Sequence, residues 1–401
     1  MKSGRNWGRL GMKFELKDIC KANQSNYSKS DKWTFINYLD TGNITKNKID
    51  EIQYINLENE KLPSRAKRKV EIDDIIYSTV RPNQLHYGII KQMPNNFLVS
   101  TGFTTIKINR KIAEPKFIFY YITQDEITEH LSAIAEQSTS AYPSIKPSDI
   151  ENLEIDLPSL KTQKQIASIL SALDDKIELN NRINENLESQ AQAIFKSWFV
   201  DFEPFGGVMP EDWRIGSLSE ICGYSKDKVN IEDLTLDAYY STENMQPNRQ
   251  GAVQATALPT IKQTIACKKG DVLISNIRPY FKKIIYCFAD CGCSTDVLCF
   301  VPNKSEYSAF LYCALYSDKF FDYMVAGSKG TKMPRGDKQQ IMMYPICIPS
   351  TEYVEQFSKI VAPMLETVYT NRLEANDLAI LRDTLLPKLM KGEIDVSEVK
   401  I

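Results

Sequence analysis

The chain has 401 residues, 43% of them hydrophobic and 25% charged, and its formal net charge at pH 7 is −2. This length and composition exclude a disordered chain and predict a globular protein of roughly two or three domains. No run of about 18 apolar residues occurs, and residues 1–12 lack the apolar core of a signal peptide, so we expect a cytoplasmic protein with no membrane partner. The near-neutral charge gives no sign of nucleic-acid binding by itself, although local basic faces remain compatible with it.

A strand-like segment that ends in Arg-Pro occurs twice. Residues 74–82 read Asp-Ile-Ile-Tyr-Ser-Thr-Val-Arg-Pro, and residues 271–279 read Asp-Val-Leu-Ile-Ser-Asn-Ile-Arg-Pro. Further positions recur in the same order: Leu16, Ile19, Cys20, Pro158 and Ser159 return as Leu218, Ile221, Cys222, Pro349 and Ser350. The pattern indicates a tandem duplication. We expect a pseudo-twofold protein, which suits a ligand with two similar halves such as double-stranded DNA.

Each copy begins with a loop-rich part and continues into a long periodic helix. In the loop-rich parts, at roughly residues 13–157 and 212–348, β-branched or aromatic runs alternate with turn signals, which predicts mixed α/β structure. Helical patches are predicted at 116–135 and 309–325. We therefore divide the chain into a first globular domain (1–158), a central helical region (159–204), a second globular domain (205–349) and a C-terminal helical region (350–401).

The two helical regions carry apolar seams at alternating spacings of three and four residues. Because helices of about 37 residues are far longer than the globular average, we predict that they bury these seams in an antiparallel coiled coil. The overall prediction is an α+β fold in which two mixed α/β domains are separated by the two long helices. The seam positions are Gln163, Ile166, Leu170, Leu173, Ile177, Asn180, Asn184, Leu187, Ala191, Ile194 and Trp198, with counterparts Val354, Phe357, Val361, Met364, Val368, Asn371, Ala375, Leu378, Arg382, Leu385 and Leu389.

Polar and helix-breaking residues define details of these helices. Asn180 and Asn371 occupy equivalent seam positions, and we predict that they fix the register of the pair; the alternative is that each is a tolerated polar defect. Ser159 or Thr162 is expected to cap the first helix, with Gln165 completing a capping box on Thr162. In the second helix, Pro387 is expected to kink or break the helix before Gly392 ends it.

The nine cysteines are unevenly distributed, with Cys287, Cys291, Cys293 and Cys299 close together. Their C-x3-C-x-C-x5-C spacing is not that of a standard zinc finger or ribbon, and neither histidine lies near them. We expect buried free thiols, with a metal site as the less favoured alternative.

Motifs of catalysis are not found. The segment 327–332 has the wrong spacing for a phosphate loop, no Pro-Pro of a methyltransferase loop occurs, and no G-x-S-x-G nucleophile elbow is present. We therefore expect a DNA-binding protein that itself holds no cofactor and no metal.

The candidate DNA-binding residues form two groups in each copy: those that follow the Arg-Pro strand, and those in the polar loops 137–146 and 327–335. Arginine and amide side chains suit base edges, whereas hydroxyl and cationic groups suit phosphates. The alternatives are that each arginine pairs with a local carboxylate and that the basic clusters are solvated faces. The candidates are Arg81, Asn83, Gln84, Ser138, Thr139, Ser140, Tyr142 and Lys146, then Asn276, Arg278, Tyr280, Lys282, Lys283, Lys329, Thr331, Lys332 and Arg335.

The order and duplication of these motifs resemble the specificity subunit of type I restriction-modification systems. The resemblance covers almost the whole chain and is carried by the two Arg-Pro segments, by Pro158-Ser159 and Pro349-Ser350 before the helices, by Leu179-Asn180-Asn181-Arg182, and by residues 385–390 followed by Gly392-Glu393-Ile394. Residues 333–335, Met-Pro-Arg, replace residues 142–144, Tyr-Pro-Ser, so the two loops cannot make the same contacts.

The resemblance implies that each globular unit is a target recognition domain for one half of a bipartite DNA site, with the coiled coil spanning the unread gap. It further implies two methyltransferase subunits that use S-adenosylmethionine for adenine methylation, and restriction subunits that use ATP and Mg. Two other classes remain open: a DNA-modifying enzyme active without partners, and a coiled-coil scaffold that binds only proteins.

Overall fold

The structure is a computed structural model that describes residues 12–138 and 142–399. It contains two compact units: unit 1 comprises the residues up to Asp175 together with those from Ala379 onward, and unit 2 runs from Lys176 to Leu378. Each unit therefore holds one α/β part and a portion of both long helices, a grouping that differs from the four consecutive regions predicted along the chain. Within the described residues, no helix combines the length and the apolarity needed to cross a lipid bilayer.

The described elements of the first α/β part include two longer helices and two one-turn helices. In chain order they are β1 (Met12–Glu15), α1 (Leu16–Ile19), β2 (Cys20–Ala22), β3 (Phe35–Leu39), β4 (Ile44–Thr45), β5 (Lys48–Ile49), β6 (Gln53–Asn56), β7 (Ala66–Arg68), β8 (Ile75–Ser78), β9 (Tyr87–Ile89), β10 (Phe97–Ser100), β11 (Phe103–Ile108), α2 (Pro115–Ile122), α3 (Asp125–Glu136), α4 (Pro147–Glu151) and β12 (Glu154–Leu157). The first long helix, α5 (Leu160–Phe199), follows.

The second α/β part has the same kinds of element in a similar order. They are β13 (Arg214–Ser217), β14 (Cys222–Tyr224), β15 (Lys228–Asn230), β16 (Tyr239–Tyr240), β17 (Gln263–Cys267), β18 (Val272–Ser275), β19 (Ile284–Tyr286), β20 (Cys291–Cys293), β21 (Val297–Pro302), α6 (Ser308–Tyr316), α7 (Asp318–Ala326), α8 (Lys338–Met342) and β22 (Pro345–Ile348). The second long helix is α9 (Thr351–Met390).

Sheet topology bears out the duplication. A four-stranded antiparallel sheet has the order β2-β11-β8-β9 in unit 1 and β14-β21-β18-β19 in unit 2, so the repeated strand occupies the same place in both. A second four-stranded sheet shares the order β3-β10-β7 with β16-β20-β17. It differs in its additional strand, since β6 pairs with β3 in unit 1 whereas β15 pairs with β17 in unit 2.

The repeated strands β8 and β18 are buried on both faces, which explains why they read as continuous apolar runs rather than as alternating ones. In unit 1, Ile75 and Tyr77 pack in a core with α2 and α3, while Ile76 packs in a core with β3 and β10. In unit 2, Val272 and Ile274 pack on the helical side and Leu273 on the side of β17 and β20. Each repeated strand is thus held between helices and a second sheet.

The predicted seams of the long helices are confirmed, because none of the eleven seam positions on either helix is exposed. Each helix has 40 residues. Within unit 1, Asp174 of α5 bonds Arg382 of α9, and Gln165, nearer the start of α5, bonds the carbonyls of Ser397 and Val399 beyond the end of α9. As residue numbers rise along α5, the numbers of the residues that they contact on α9 and beyond its end fall, so the two helices run antiparallel. Unit 2 shows the same direction, with Asn180 bonded to Glu374 and Phe199 packed on Phe357.

Three helix-end predictions have different outcomes. Ser159 caps α5, since its Oγ accepts a hydrogen bond from the Thr162 amide at 3.2 Å. The capping box on Thr162 is wrong, because the Gln165 amide instead donates to the carbonyl of Val399 at 2.8 Å. Gly392, with φ 70°, lies just beyond the end of α9 as predicted.

Of the predicted kink or local break at Pro387, the break is wrong, because α9 continues through it to Met390, and the kink stays a prediction. Pro387 lies only three residues before that end, in the last turn of the helix, and its own carbonyl accepts a hydrogen bond from the Lys391 amide at 3.0 Å. A proline removes one intrahelical hydrogen bond at its own amide, and the packing of the seam is sufficient to keep a single such loss from interrupting the helix.

The predicted helical patches 116–135 and 309–325 are each two helices. In unit 2 the interruption is at Ser317, whose backbone is extended and whose Oγ accepts a hydrogen bond from the Phe320 amide at 3.2 Å. Ser317 is therefore the N-cap of α7.

The seam asparagines meet one another within unit 2. The Asn180 side chain is fully buried, and its Nδ2 donates to Glu374 Oε2 at 2.8 Å and to the Asn371 carbonyl at 3.4 Å. The Nδ2 of Asn371 donates to Asn184 Oδ1 at 2.9 Å. Asn180 Oδ1 is buried with no hydrogen-bond partner among the described residues. Such an arrangement is costly for stability, as expected of a polar group kept for register rather than for packing energy.

A first prediction concerns this cost. Asn180→Leu should raise the free energy of unfolding of unit 2 by about 1–2 kcal/mol, because it removes a buried carbonyl oxygen that has no partner and adds apolar contact to the seam. Denaturant unfolding measures the change. A loss of stability instead of a gain would show that the Asn180 hydrogen bonds outweigh its unpaired oxygen.

A second prediction concerns the aromatic cluster of unit 2. Phe357 is fully buried, and its ring centroid lies 5.2 Å from that of Phe199 and 6.2 Å from that of Trp198. Phe357→Ala should lower the free energy of unfolding by about 3–5 kcal/mol, as measured by denaturant unfolding followed through tryptophan fluorescence. Ile360→Ala on the same helix is the control: Ile360 is 41% exposed, and its truncation should change stability by no more than about 0.5 kcal/mol.

Candidate nucleic-acid interface

The two Arg-Pro loops have the same strained backbone. Arg81 and Arg278 have φ values of 49° and 50°, and each begins a short 3-10 turn, at Pro82–Gln84 and at Pro279–Phe281. Each turn ends at another residue with positive φ, Leu85 (59°) or Lys282 (51°). Positive φ is uncommon for residues other than glycine, and such strain persists only where the surrounding structure holds it. The buried strands β8 and β18 supply that support.

In unit 1 the structure brings together the two groups that the sequence presented separately. The Arg81 amide donates to the Pro143 carbonyl at 2.9 Å, and the Ile145 amide donates to the Thr79 carbonyl at 2.9 Å. The Arg-Pro loop and the polar loop 142–146 are therefore neighbours along a short antiparallel bridge between Val80 and Ser144.

Unit 2 repeats this pairing. The Arg278 amide donates to the Pro334 carbonyl at 2.8 Å, and Ile277 forms an antiparallel bridge with Arg335. The Gly336 amide donates to the Asn276 carbonyl at 3.2 Å. Each unit therefore has one composite surface, which we call the Arg-Pro surface, built from an Arg-Pro loop and the polar loop beside it.

The Arg-Pro surface of unit 1 is rich in side chains that suit base edges. The guanidinium of Arg81 lies 5.2 Å from the ring centroid of Tyr142, a cation–π contact that holds it without neutralising its charge. Asn83, Gln84 and Lys146 are exposed. A cleft of about 290 Å³ lies beside them and is lined by Arg81, Pro82, Asn83, Gln84, Ser132, Ala135, Glu136 and Pro143.

The remaining candidates of unit 1 lie in the polar loop. Ser138 Oγ accepts a hydrogen bond from the Ser144 amide at 3.3 Å, so it helps to hold the loop together. Thr139 and Ser140 lie outside the described residues. The acidic Glu136 at the end of α3 was not predicted; its position one residue before the polar loop was the available signal.

Neither arginine pairs with a carboxylate within residues 12–138 and 142–399, so the local ion-pair alternative does not describe this structure. Arg278 is half-buried, and its Nε has no hydrogen-bond partner among those residues. A buried guanidinium nitrogen without a partner is energetically costly.

One candidate of unit 2 is wrong. Asn276 is only 6% exposed, and Gly336 packs so closely on it that an added Cβ would lie 2.9 Å from Asn276 Oδ1. The side chain is therefore inside the unit and does not reach the surface. Its position within the repeated Arg-Pro segment suggested exposure, but Gly336 of the neighbouring loop packs against it.

The two lysines after Arg278 are bonded within unit 2. Lys282 Nζ lies 2.6 Å from Asp318 Oδ1, and Arg249 contacts the same oxygen at 2.5 Å. Hydrogen bonds from Arg249 and Lys282 lower the pKa of Asp318 to about 2, so this carboxylate stays ionised at neutral pH. Lys283 Nζ donates to the Thr242 carbonyl at 2.6 Å, and burial lowers the pKa of its amino group.

The outward-facing residues of the unit 2 surface are of two kinds. Tyr280 is 48% exposed, as is Met333, and Phe281, which the sequence did not single out, is 38% exposed. Among the cations, Lys329 pairs with Asp337 at 2.6 Å and Arg335 with Asp296 at 3.1 Å. Thr331 and Lys332 are exposed.

The cysteines are structural. All nine are buried free thiols, which confirms the expectation of free thiols, and Cys267, Cys287, Cys291, Cys293 and Cys299 pack in the core behind β18 with Leu273 and Val297. Within the part of the chain that the structure describes, no group of histidine, cysteine or acidic side chains has the geometry to hold a metal ion.

Each unit combines an α/β part that carries an arginine-centred surface with portions of both long helices. A family profile described as "Type I restriction modification DNA specificity domain" matches residues 11–189 and again residues 210–379. The chain belongs to this family.

Two curated relatives and one solved structure illustrate the similarity. The chain is 27% identical to the type I restriction enzyme HindI specificity subunit of Haemophilus influenzae, over 89% of this chain and 94% of that protein. It is 27% identical to the type I restriction enzyme MjaIX specificity subunit of Methanocaldococcus jannaschii, over 78% of this chain and 76% of that protein. The crystal structure of a type I restriction-modification system S subunit from M. genitalium has a TM-score of 0.62 at 17% identity, covering 97% of this chain and 98% of that one, and supports the fold.

A third prediction follows from the ion pair between Arg335 and Asp296. Asp296→Asn should free the Arg335 guanidinium and remove a negative charge from the Arg-Pro surface of unit 2. Affinity for DNA of random sequence should rise, and the slope of log K against log salt should become steeper by about one. Fluorescence anisotropy at several salt concentrations measures both quantities.

The matched control is Asp201→Asn, which removes the carboxylate that pairs with Lys196 at the end of α5. It makes the same change of net charge away from the Arg-Pro surface, and it should leave the salt slope unchanged. Equal slopes for both variants and the unchanged protein would contradict a phosphate contact by Arg335.

Proposed function

We propose that this chain is the specificity subunit of a type I restriction-modification complex and that each unit reads one half of a bipartite DNA site with its Arg-Pro surface. The observation that carries the proposal is the repetition of one strained loop on two equally supported strands, with an arginine at the same place in both. Two similar readers on one chain suit two half-sites on one duplex.

The residues of the two surfaces suit different tasks. Arg81, Asn83 and Gln84 are placed to read base edges in unit 1, because arginine binds guanine and amides bind adenine in bidentate fashion. Ser138, Tyr142 and Lys146 extend the surface toward the phosphates. In unit 2, Arg278 and Tyr280 are placed to read base edges. The residues placed to contact the DNA backbone are Lys329, Thr331, Lys332 and Arg335.

The chain acts without chemistry of its own. We propose that two methyltransferase subunits bind it and methylate adenine with S-adenosylmethionine, and that restriction subunits with ATP and Mg join them to form the endonuclease. The cofactors belong to those partners, and the complex works in the cytoplasm. Asn180 and Asn371 fix the register of the helix pair, which holds the spacing that the gap between half-sites requires.

A fourth prediction tests the two arginines. Arg81→Ala and Arg278→Ala should each weaken binding to the complete site by about 1–3 kcal/mol and relax the choice of base in one half-site only. Binding of the assembled methyltransferase complex to duplexes with substitutions in either half-site measures the effect.

Arg81→Lys is the matched control, because it keeps the charge but loses the planar pair of donors. It should keep the salt slope of the unchanged complex and still lose base discrimination. Equal losses on both half-sites and on random DNA would contradict base reading and leave only a phosphate contact.

A further inference from the structure

The two Arg-Pro loops share a backbone but differ in what they present. After Arg81 and Pro82 the 3-10 turn of unit 1 carries Asn83 and Gln84, whereas the turn of unit 2 carries Tyr280 and Phe281 at the same two places. Amides that can donate and accept hydrogen bonds are thus replaced by two aromatic rings.

The two rings of unit 2 form an exposed apolar pair. Their centroids lie 4.7 Å apart, and 48% of Tyr280 and 38% of Phe281 is exposed. Single exposed apolar residues are ordinary on protein surfaces, but neighbouring large ones mark a contact site. Met333, also 48% exposed, stands in the adjoining loop where unit 1 has Tyr142.

The two lysines beside the rings are each bonded within unit 2. Lys282 is held by Asp318, and Lys283 by the Thr242 carbonyl, as described above. In unit 1 the same two places are occupied by Leu85 and His86, and the His86 ring Nδ1 bonds the Ile44 carbonyl at 2.6 Å. The exposed surface of the unit 2 turn is therefore formed by the two rings rather than by lysine ammonium groups free to bind a ligand.

The turn is also held from behind. The Asn248 amide donates to the Phe281 carbonyl at 2.8 Å, and the Arg249 amide donates to the Lys282 carbonyl at 3.0 Å. Arg249 in turn pairs with Asp318 at 2.5 Å and bonds the Tyr316 carbonyl at 2.8 Å. The two rings are therefore presented on a fixed backbone, which reduces the entropy lost when they contact a ligand.

We propose that unit 2 reads its half-site by apolar contact of Tyr280 and Phe281 with thymine 5-methyl groups in the major groove, while unit 1 reads through the amides of Asn83 and Gln84. The thymine methyl is the apolar feature that distinguishes bases in that groove. This inference rests on the proposed function and adds the kind of base that unit 2 selects.

Uracil replacement tests it, because uracil pairs as thymine does and lacks only the methyl. In the assembled methyltransferase complex, replacing single thymines in one half-site should weaken binding about fourfold for each contacted methyl, the equivalent of about 0.8 kcal/mol. Thymines of the other half-site should tolerate the replacement. The measurement uses the unaltered protein, so it does not depend on a variant that folds.

The double variant Tyr280→Asn with Phe281→Gln gives unit 2 the side chains of unit 1. It should abolish the uracil effect while binding to the unaltered half of the site remains selective, which also reports that the variant is folded. Asn83→Gln is the matched control in unit 1 and should leave the uracil effect intact.

The outcomes separate the inference from the proposed function. A complex that selects a bipartite site but is indifferent to uracil at every thymine, or whose preferred half-sites lack thymine, overturns the apolar readout and leaves the proposed function standing. A complex that prefers no sequence at all contradicts the proposed function itself. Persistence of the uracil effect in the double variant would place the methyl contact on other residues and overturn the assignment.

Discussion

Each α/β part has an apolar side that must be covered, and the two long helices cover both. In unit 1 the core includes Ile166 and Leu170 of α5 with Leu389 of α9, and in unit 2 it includes Phe199 of α5 with Phe357 of α9. Because the helices run antiparallel, each contributes one part of its seam to each unit. Neither α/β part is complete without both helices, so a substitution in a seam affects the unit whose core it enters.

The Arg-Pro loops depend on that core at one further step. The buried strands β8 and β18 lie between helices and a second sheet, and each leads within three residues to an arginine at positive φ. Such strain costs of order 1–3 kcal/mol and requires a rigid support. A rigid support also allows side chains at the turn to change without disturbing the backbone, as the exchange of Asn83 and Gln84 for Tyr280 and Phe281 illustrates. Specificity can therefore vary while the fold is kept.

The parts of this molecule that could be predicted from sequence are those set by short-range pattern. The duplication, the seams and the Arg-Pro strands follow from spacing alone, and so does the cap at Ser159. The burial of Asn276 and the pairing of Lys282 with Asp318 depend on partners tens of residues away in the chain, which spacing does not reveal. The predicted break at Pro387 failed for a different reason. The hydrogen bond that a proline removes from the last turn of a well-packed helix contributes too little free energy for its loss to interrupt the helix.

The central claim is that one chain with two readers directs methylation to a two-part DNA site. Single-molecule mapping of N6-methyladenine in the source organism, with the gene intact and deleted, tests this most directly. The account predicts that methylation of one motif, made of two half-sites separated by a fixed gap, disappears on deletion and returns when the gene is restored. An unchanged set of methylated motifs, in cells that express the cognate methyltransferase subunits, would contradict it.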